Sequence, residues 1–116
     1  MTIKRIGVGK RMSEATVYGG VARLAGFVAD KTAGKSVKEQ TAEILGLIDA
    51  TLKEAGTDKT RILKANIWLT NMGSFGQMNE AWDAWVPQGH TPARATVESK
   101  LAGTGLDVEI MVEAAV

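Results

Sequence analysis

The spacing of hydrophobic positions changes several times along the chain, and each change marks an element. Residues 3–8 alternate weakly between apolar and polar, the period of a first strand. A polar stretch, residues 9–14, reads as a loop. Residues 15–18 and 21–27 form two further short strand-like runs around Gly19 and Gly20. A Gly-Gly pair supplies the backbone freedom that a tight hairpin needs. After a second polar stretch the period lengthens. Ser36 followed by Glu39 is a capping box. Val37, Thr41, Ile44, Leu45, Ile48 and Leu52 then recur at helical spacing as one apolar stripe, with Gly56 placed to end the helix. Residues 62–70 are rich in apolar and aromatic side chains, as in a buried central strand.

Ser74 and Gln77 read as a second capping box, opening a helix whose apolar face carries Phe75, Met78, Trp82 and Trp85. Pro87 and Gly89 stop it. Aromatics at helical spacing are expected to pack a helix against a sheet. Asn79 and Asp83 are neighbours on the other side of the helix, where Asp83 is expected on a solvated face. Two last strand-like runs follow, residues 90–98 and 106–113, joined by a glycine-containing turn. The order of strands, helix, strand, helix, strands predicts an α+β fold, a mixed sheet with two helices on one face.

Composition narrows the function classes. The chain has 116 residues, which fits one domain spanning 1–116. It is 45% hydrophobic and 23% charged, ordinary for a folded protein. A net charge of +1, with its cations dispersed, gives no field that would mark a nucleic-acid binder. There is no membrane-spanning run, and the N-terminus lacks the apolar core of a signal peptide. The chain has no cysteine, which removes disulfides and thiolate chemistry and agrees with a cytoplasmic location. One histidine, His90, supplies neither a metal cluster nor a catalytic relay. A chain of this size builds a ligand cleft more easily between subunits than inside one.

Two charges stand where a charge needs a reason. Arg94 follows Pro92 and Ala93 at the entry to a β-branched run, and Glu109 interrupts the apolar residues Val108, Ile110 and Val112. Brought together by adjacent strands, a guanidinium and a carboxylate would hold a small carboxylate and a water. A surface ion pair is the other reading of the same pattern.

The residues that carry this pattern resemble a known family. Gly19 and Gly20, Leu24-Ala25-Gly26, the capped helix, Ile67-Trp68-Leu69, Met78, Asn79 and Trp82, then Pro92 to Val97 and Val108-Glu109-Ile110 are similar, in order and nearly throughout, to the reactive intermediate deaminase family (Rid, also called YjgF). The resemblance implies a chorismate-mutase-like fold assembled as a homotrimer with clefts between subunits. It implies hydrolysis of 2-imino acids, or enamine tautomers such as 2-aminoacrylate, to 2-keto acids and ammonia, with no cofactor and no metal. Arg94 would clamp the substrate carboxylate, Glu109 would position or deprotonate the attacking water, and Asn79 would be structural. Tyr18, Gly26 and Phe27 are the further substrate-binding candidates. The alternative is a non-catalytic protein that binds a keto acid or similar small carboxylate in the same cleft.

The chain departs from the family pattern in three places. The archetypal Gly-Pro-Tyr segment is missing, and Tyr18 is the nearest tyrosine. Phe27 stands where a polar residue is usual, either lining the pocket or filling core. Met111 replaces a second acidic position. These features point to a divergent subgroup, and they bear on substrate choice more than on fold.

Overall fold

A computed structural model describes residues 2–116. Met1, included in the single domain expected from the sequence, lies outside the described residues. The elements are β1 (Lys4–Ile6), β2 (Ala15–Tyr18), β3 (Val21–Leu24), β4 (Phe27–Val28), α1 (Val37–Glu54), β5 (Ile62–Leu69), α2 (Phe75–Trp85), β6 (Ala93–Glu98) and β7 (Val108–Ala115). The strands form one sheet in the order β1-β2-β3-β7-β5-β6, with β4 also paired to β7. Every pairing is antiparallel except β5 with β6, whose parallel crossover runs through α2. The expected mixed sheet carrying two helices is therefore the observed one.

One face of the sheet is buried under α1 and α2. Ala65, Ile67 and Leu69 of β5 and Val108, Ile110, Val112 and Ala114 of β7 point into this core, with Ile44, Leu45, Ile48 and Leu52 of α1 above them. The strict alternation of β7, buried then half-buried along its whole length, follows from the period of two and leaves the other sheet face open. Glu109 and Met111 are on that open face.

The cap of α1 is the one read from sequence. Ser36 Oγ accepts the Glu39 amide at 3.1 Å and donates to the Glu39 carboxylate at 3.0 Å. At the other end Gly56 is left-handed (φ 84°), and Thr57 N donates to Leu52 O and Gly56 N to Lys53 O. That is the paired-bond stop of a Schellman motif.

Four expectations are corrected. The first strand is shorter than residues 3–8 and covers only Lys4–Ile6. The run 21–27 is broken after Leu24, and Phe27 begins a separate strand, because Ala25 turns away to bond Glu14 O. The second capping box does not form: Ser74 gives its hydroxyl to Asn71 O and makes no side-chain cap. A short 3-10 turn, Met72–Ser74, leads into α2 instead, and its own cap is Asn71, whose Oδ1 accepts Gly73 N at 2.7 Å. Last, the two terminal strands are not adjacent, since β5 lies between β6 and β7.

Gln40 holds the end of the sheet that matters for the site. Fully buried on α1, it donates to Lys35 O and Gly105 O and accepts the Asp107 amide at 2.9 Å. A buried amide satisfied on both sides fixes the chain where it enters β7, just before Glu109.

Candidate functional site

Arg94 is half-buried on the edge strand β6, opposite Ala65 in the parallel register. Ala65 faces the helices, so the arginine side chain is on the helix side of the sheet and meets α2. Its Nη1 donates to Asn79 Oδ1 at 2.9 Å. Its guanidinium lies 5.2 Å from the Trp82 ring centroid and 5.7 Å from that of Phe75. Two aromatic rings and an amide thus fix a planar cation with one edge engaged. Each ring contributes about 0.5–2 kcal/mol, more as water is excluded. The α2 aromatics, expected only to pack a helix on a sheet, also build this shelf: Trp82 is 5% exposed and belongs to the core, whereas Phe75 is 38% exposed. Asn79, expected to be structural, is the arginine's hydrogen-bond partner. Asp83 is exposed, as expected.

Glu109 occupies the opposite side. It stands across from Trp68 on β5 and Val28 on β4. Ala65 and Trp68 are an odd number of residues apart on one strand, so Arg94 and Glu109 project from opposite faces of the sheet. Within one chain the two candidate residues are not brought together, which corrects the expectation that adjacent strands would join them.

Gly26 and Glu109 are brought together. A β-carbon at Gly26 would run into Glu109 Oε2 and lie 2.9 Å from its Cδ. Only glycine leaves room for the carboxylate against the backbone. A cavity of about 280 Å³ opens beside it, lined by Trp68, Ser99, Lys100, Leu101, Ala102 and Glu109. The segment after β6 is turned over it by the bond from Ser99 N to Leu69 O, 2.9 Å. The sequence reading missed Trp68 and residues 99–102 as neighbours of Glu109, because the β5–β7 register that joins them is not local.

The remaining candidates sit elsewhere. Phe27 pairs with Ile110 and packs against the core, the second of the two roles open to it. Tyr18 is 48% exposed at the tip of the β2–β3 hairpin. Its hairpin partner Val21 is opposite Ala115, the far end of β7 from Glu109, about 20 Å away at a strand's rise. His90 is an exposed loop residue whose amide bonds Pro87 O. Arg23 and Glu113 form a half-exposed ion pair at 3.6 Å on the open face, of little energetic weight.

Two groups have displaced acidities. Burial alone would raise the Glu43 carboxyl, but bonds from the Thr32 hydroxyl and the Lys31 and Thr32 amides, with the Lys31 charge, hold it below its ordinary value. Asp58 is lowered by the Thr60 hydroxyl and amide. Both tie loops rather than line either candidate site. Among the described residues no three His, Cys, Asp or Glu side chains gather as around a metal ion, and no helix is long and apolar enough to cross a membrane.

Comparison with known proteins supplies the family. Residues 2–116 match the family model described as endoribonuclease L-PSP. A RutC family protein of Haemophilus influenzae is 45% identical over 112 residues, covering 97% of each chain. The RutC family protein YoaB of Escherichia coli is 40% identical over 116 residues, covering the whole of both. The crystal structure of NMB1025 from Neisseria meningitidis, a member of the YjgF protein family, superposes with a TM-score of 0.95 at 43% identity, covering 99% of this chain and 95% of that one.

Proposed function

The chain belongs to the endoribonuclease L-PSP family, the Rid/YjgF family of its RutC relatives, and from that premise we propose that it is an enamine/imine deaminase. Its substrates are 2-imino acids, which it hydrolyses to 2-keto acids and ammonia in clefts between the subunits of a cytoplasmic homotrimer. The observation that carries this reading is the guanidinium of Arg94, held on one edge by Asn79 and on its faces by Trp82 and Phe75. A planar fork with a free edge matches a carboxylate in a way that a lysine does not.

The opposed faces of Arg94 and Glu109 support a cleft shared by two subunits, one giving the arginine and its neighbour the glutamate. The substrate carboxylate binds Arg94, which sets the imine carbon near Glu109. On the protonated imine, Glu109 takes a proton from water as the water oxygen bonds to that carbon and the C=N π pair moves onto nitrogen. It returns the proton to the nitrogen of the resulting carbinolamine. The C–N bond then breaks, ammonia leaves, and loss of the hydroxyl proton leaves the keto acid. Positioning and modest proton transfer are enough for an imine, whose hydrolysis is already fast in water. Gly26 and the backbone at Phe27 form the wall against the carboxylate, and Tyr18 reaches a cleft only across a subunit boundary.

The test generates 2-imino acids with an amino-acid oxidase and traps the survivors with semicarbazide. Native protein shortens their lifetime, and Arg94→Ala lowers kcat/KM by about a hundredfold or more, the usual cost of removing a charged hydrogen-bond partner. Native rates in the variant would remove Arg94 from the site. Binding of pyruvate or 2-ketobutyrate by a native protein that accelerates no imine would assign it instead as a keto-acid binding protein.

A further inference from the structure

The cavity beside Glu109 has features that the proposed reaction does not use. Its volume, about 280 Å³, lies just under the roughly 300–1,000 Å³ of ordinary small-molecule sites. It is about nine times the volume of a water in the liquid, too much for the attacking water alone. Trp68 forms one wall, fixed by pairing on both sides, to Glu109 of β7 and to Val97 of β6. Leu101 and Ala102 also line the cavity, on the segment that Ser99 N ties to Leu69 O. Ser99 and Lys100, both exposed, make the rim. Trp68, Leu101 and Ala102 thus give apolar surface to a cavity that Ser99, Lys100 and Glu109 line with polar groups.

We infer that this slot receives the substrate's side chain and selects 2-imino acids with branched aliphatic or aromatic side chains over the small imines derived from alanine or serine. The inference rests on the deaminase reading and names its substrate class. If the reacting carbon lies at Glu109, the side chain on the adjoining carbon must leave in some direction. Gly26 closes one side with backbone, and the slot is the open volume next to the carboxylate. A side chain of four to seven carbons fills much of it, whereas a methyl group leaves it to water. Each methylene placed against an apolar wall is worth a factor of about 10 or more in kcat/KM.

The experiment compares native protein, Trp68→Ala and Leu101→Ala on imines made from alanine, leucine, methionine and phenylalanine, with Trp68→Phe as the conservative control. Native protein prefers the leucine and phenylalanine imines by about tenfold or more over the alanine imine. Trp68→Ala and Leu101→Ala each lose that preference, the rates on the leucine and phenylalanine imines falling by about tenfold more than the rate on the alanine imine. Trp68→Phe restores the preference. Equal losses on every imine, or a native preference for the alanine imine, would overturn the inference. If native protein hydrolyses no imine, the deaminase reading fails separately. Calorimetry with pyruvate and 4-methyl-2-oxopentanoate then decides the slot: tighter binding of the larger acid, lost in Trp68→Ala, upholds it, and equal affinities refute it.

Discussion

The neighbourhoods of Arg94 and Glu109 hold opposite charges on opposite faces of one sheet, and they hold them by different means. Arg94 is positioned by side chains: Asn79, Trp82 and Phe75 all come from α2, and together they clamp a long flexible stem. Glu109 is positioned by backbone: the missing side chain of Gly26 admits the carboxylate, and the register with Trp68 sets its direction. The cationic half is thus a property of one helix packed on an edge strand. The acidic half is a property of strand pairing across the middle of the sheet. A substitution that disturbs one need not reach the other.

Gly26→Ala sharpens the contrast most. The new methyl group displaces the end of a flexible side chain, so the fold loses no more than about 1 kcal/mol, while the carboxylate moves by around an ångström and kcat falls about a hundredfold. Thermal unfolding and imine kinetics on the same sample separate the two effects. Native kcat in the Gly26→Ala variant would show that Glu109 need not occupy that position.

Arg94→Lys probes the other half. It keeps the charge and loses the fork and the ring stacking, so the affinity for a 2-keto acid falls about tenfold. Calorimetry reads this directly, and unchanged affinity would reduce the arginine to a point charge. Asn79→Ala is milder. Removing the partner at 2.9 Å leaves the guanidinium stacked but freer, and about 1 kcal/mol, a several-fold rise in KM with kcat preserved, is expected. A loss confined to kcat would instead mean that Asn79 acts on the reaction itself.

How much of this was legible beforehand follows from the same difference. Local signals were readable. The Ser36 cap, the α1 stripe, the Gly19-Gly20 hairpin and the apolar β5 all depend on residues close in sequence, and they stand as expected. Asn79 and Arg94 could each be picked out, although their contact is not a sequence property. What failed was long-range. Nothing local places β5 between β6 and β7, so the two charges were expected side by side rather than back to back. The indole of Trp68 beside Glu109 depends on the same hidden register. Ser74 failed for a different reason: Asn71 bonds Gly73 N and opens a 3-10 turn before the helix, and Ser74 gives its hydroxyl back to Asn71 O instead of capping.

The smallest predicted effect lies outside both halves and serves as their control. Glu43 of α1 ties down the loop at Lys31 and Thr32, and its folded pKa lies below the ordinary 4.5. A lowered folded value means that the contribution is present above the unfolded value and fades as pH falls through the folded one. Glu43→Gln should therefore cost a few tenths of a kcal/mol near neutral pH, with the gap to native protein closing as pH falls through the lowered folded value and imine kinetics unchanged. Chemical denaturation at several pH values checks this. A gap that widens on acidification would reverse the sign.

The central claim is that one cleft needs Arg94 from one subunit and Glu109 from another. Its most direct test co-expresses two inactive chains, Arg94→Ala and Glu109→Ala, and isolates the mixed oligomers. Each mixed trimer holds one cleft in which native Arg94 faces native Glu109, about a third of its clefts, so the isolated mixed oligomers should recover about a third of the native rate. A mixture as inactive as either variant alone, despite proven mixed assembly, would contradict the shared cleft.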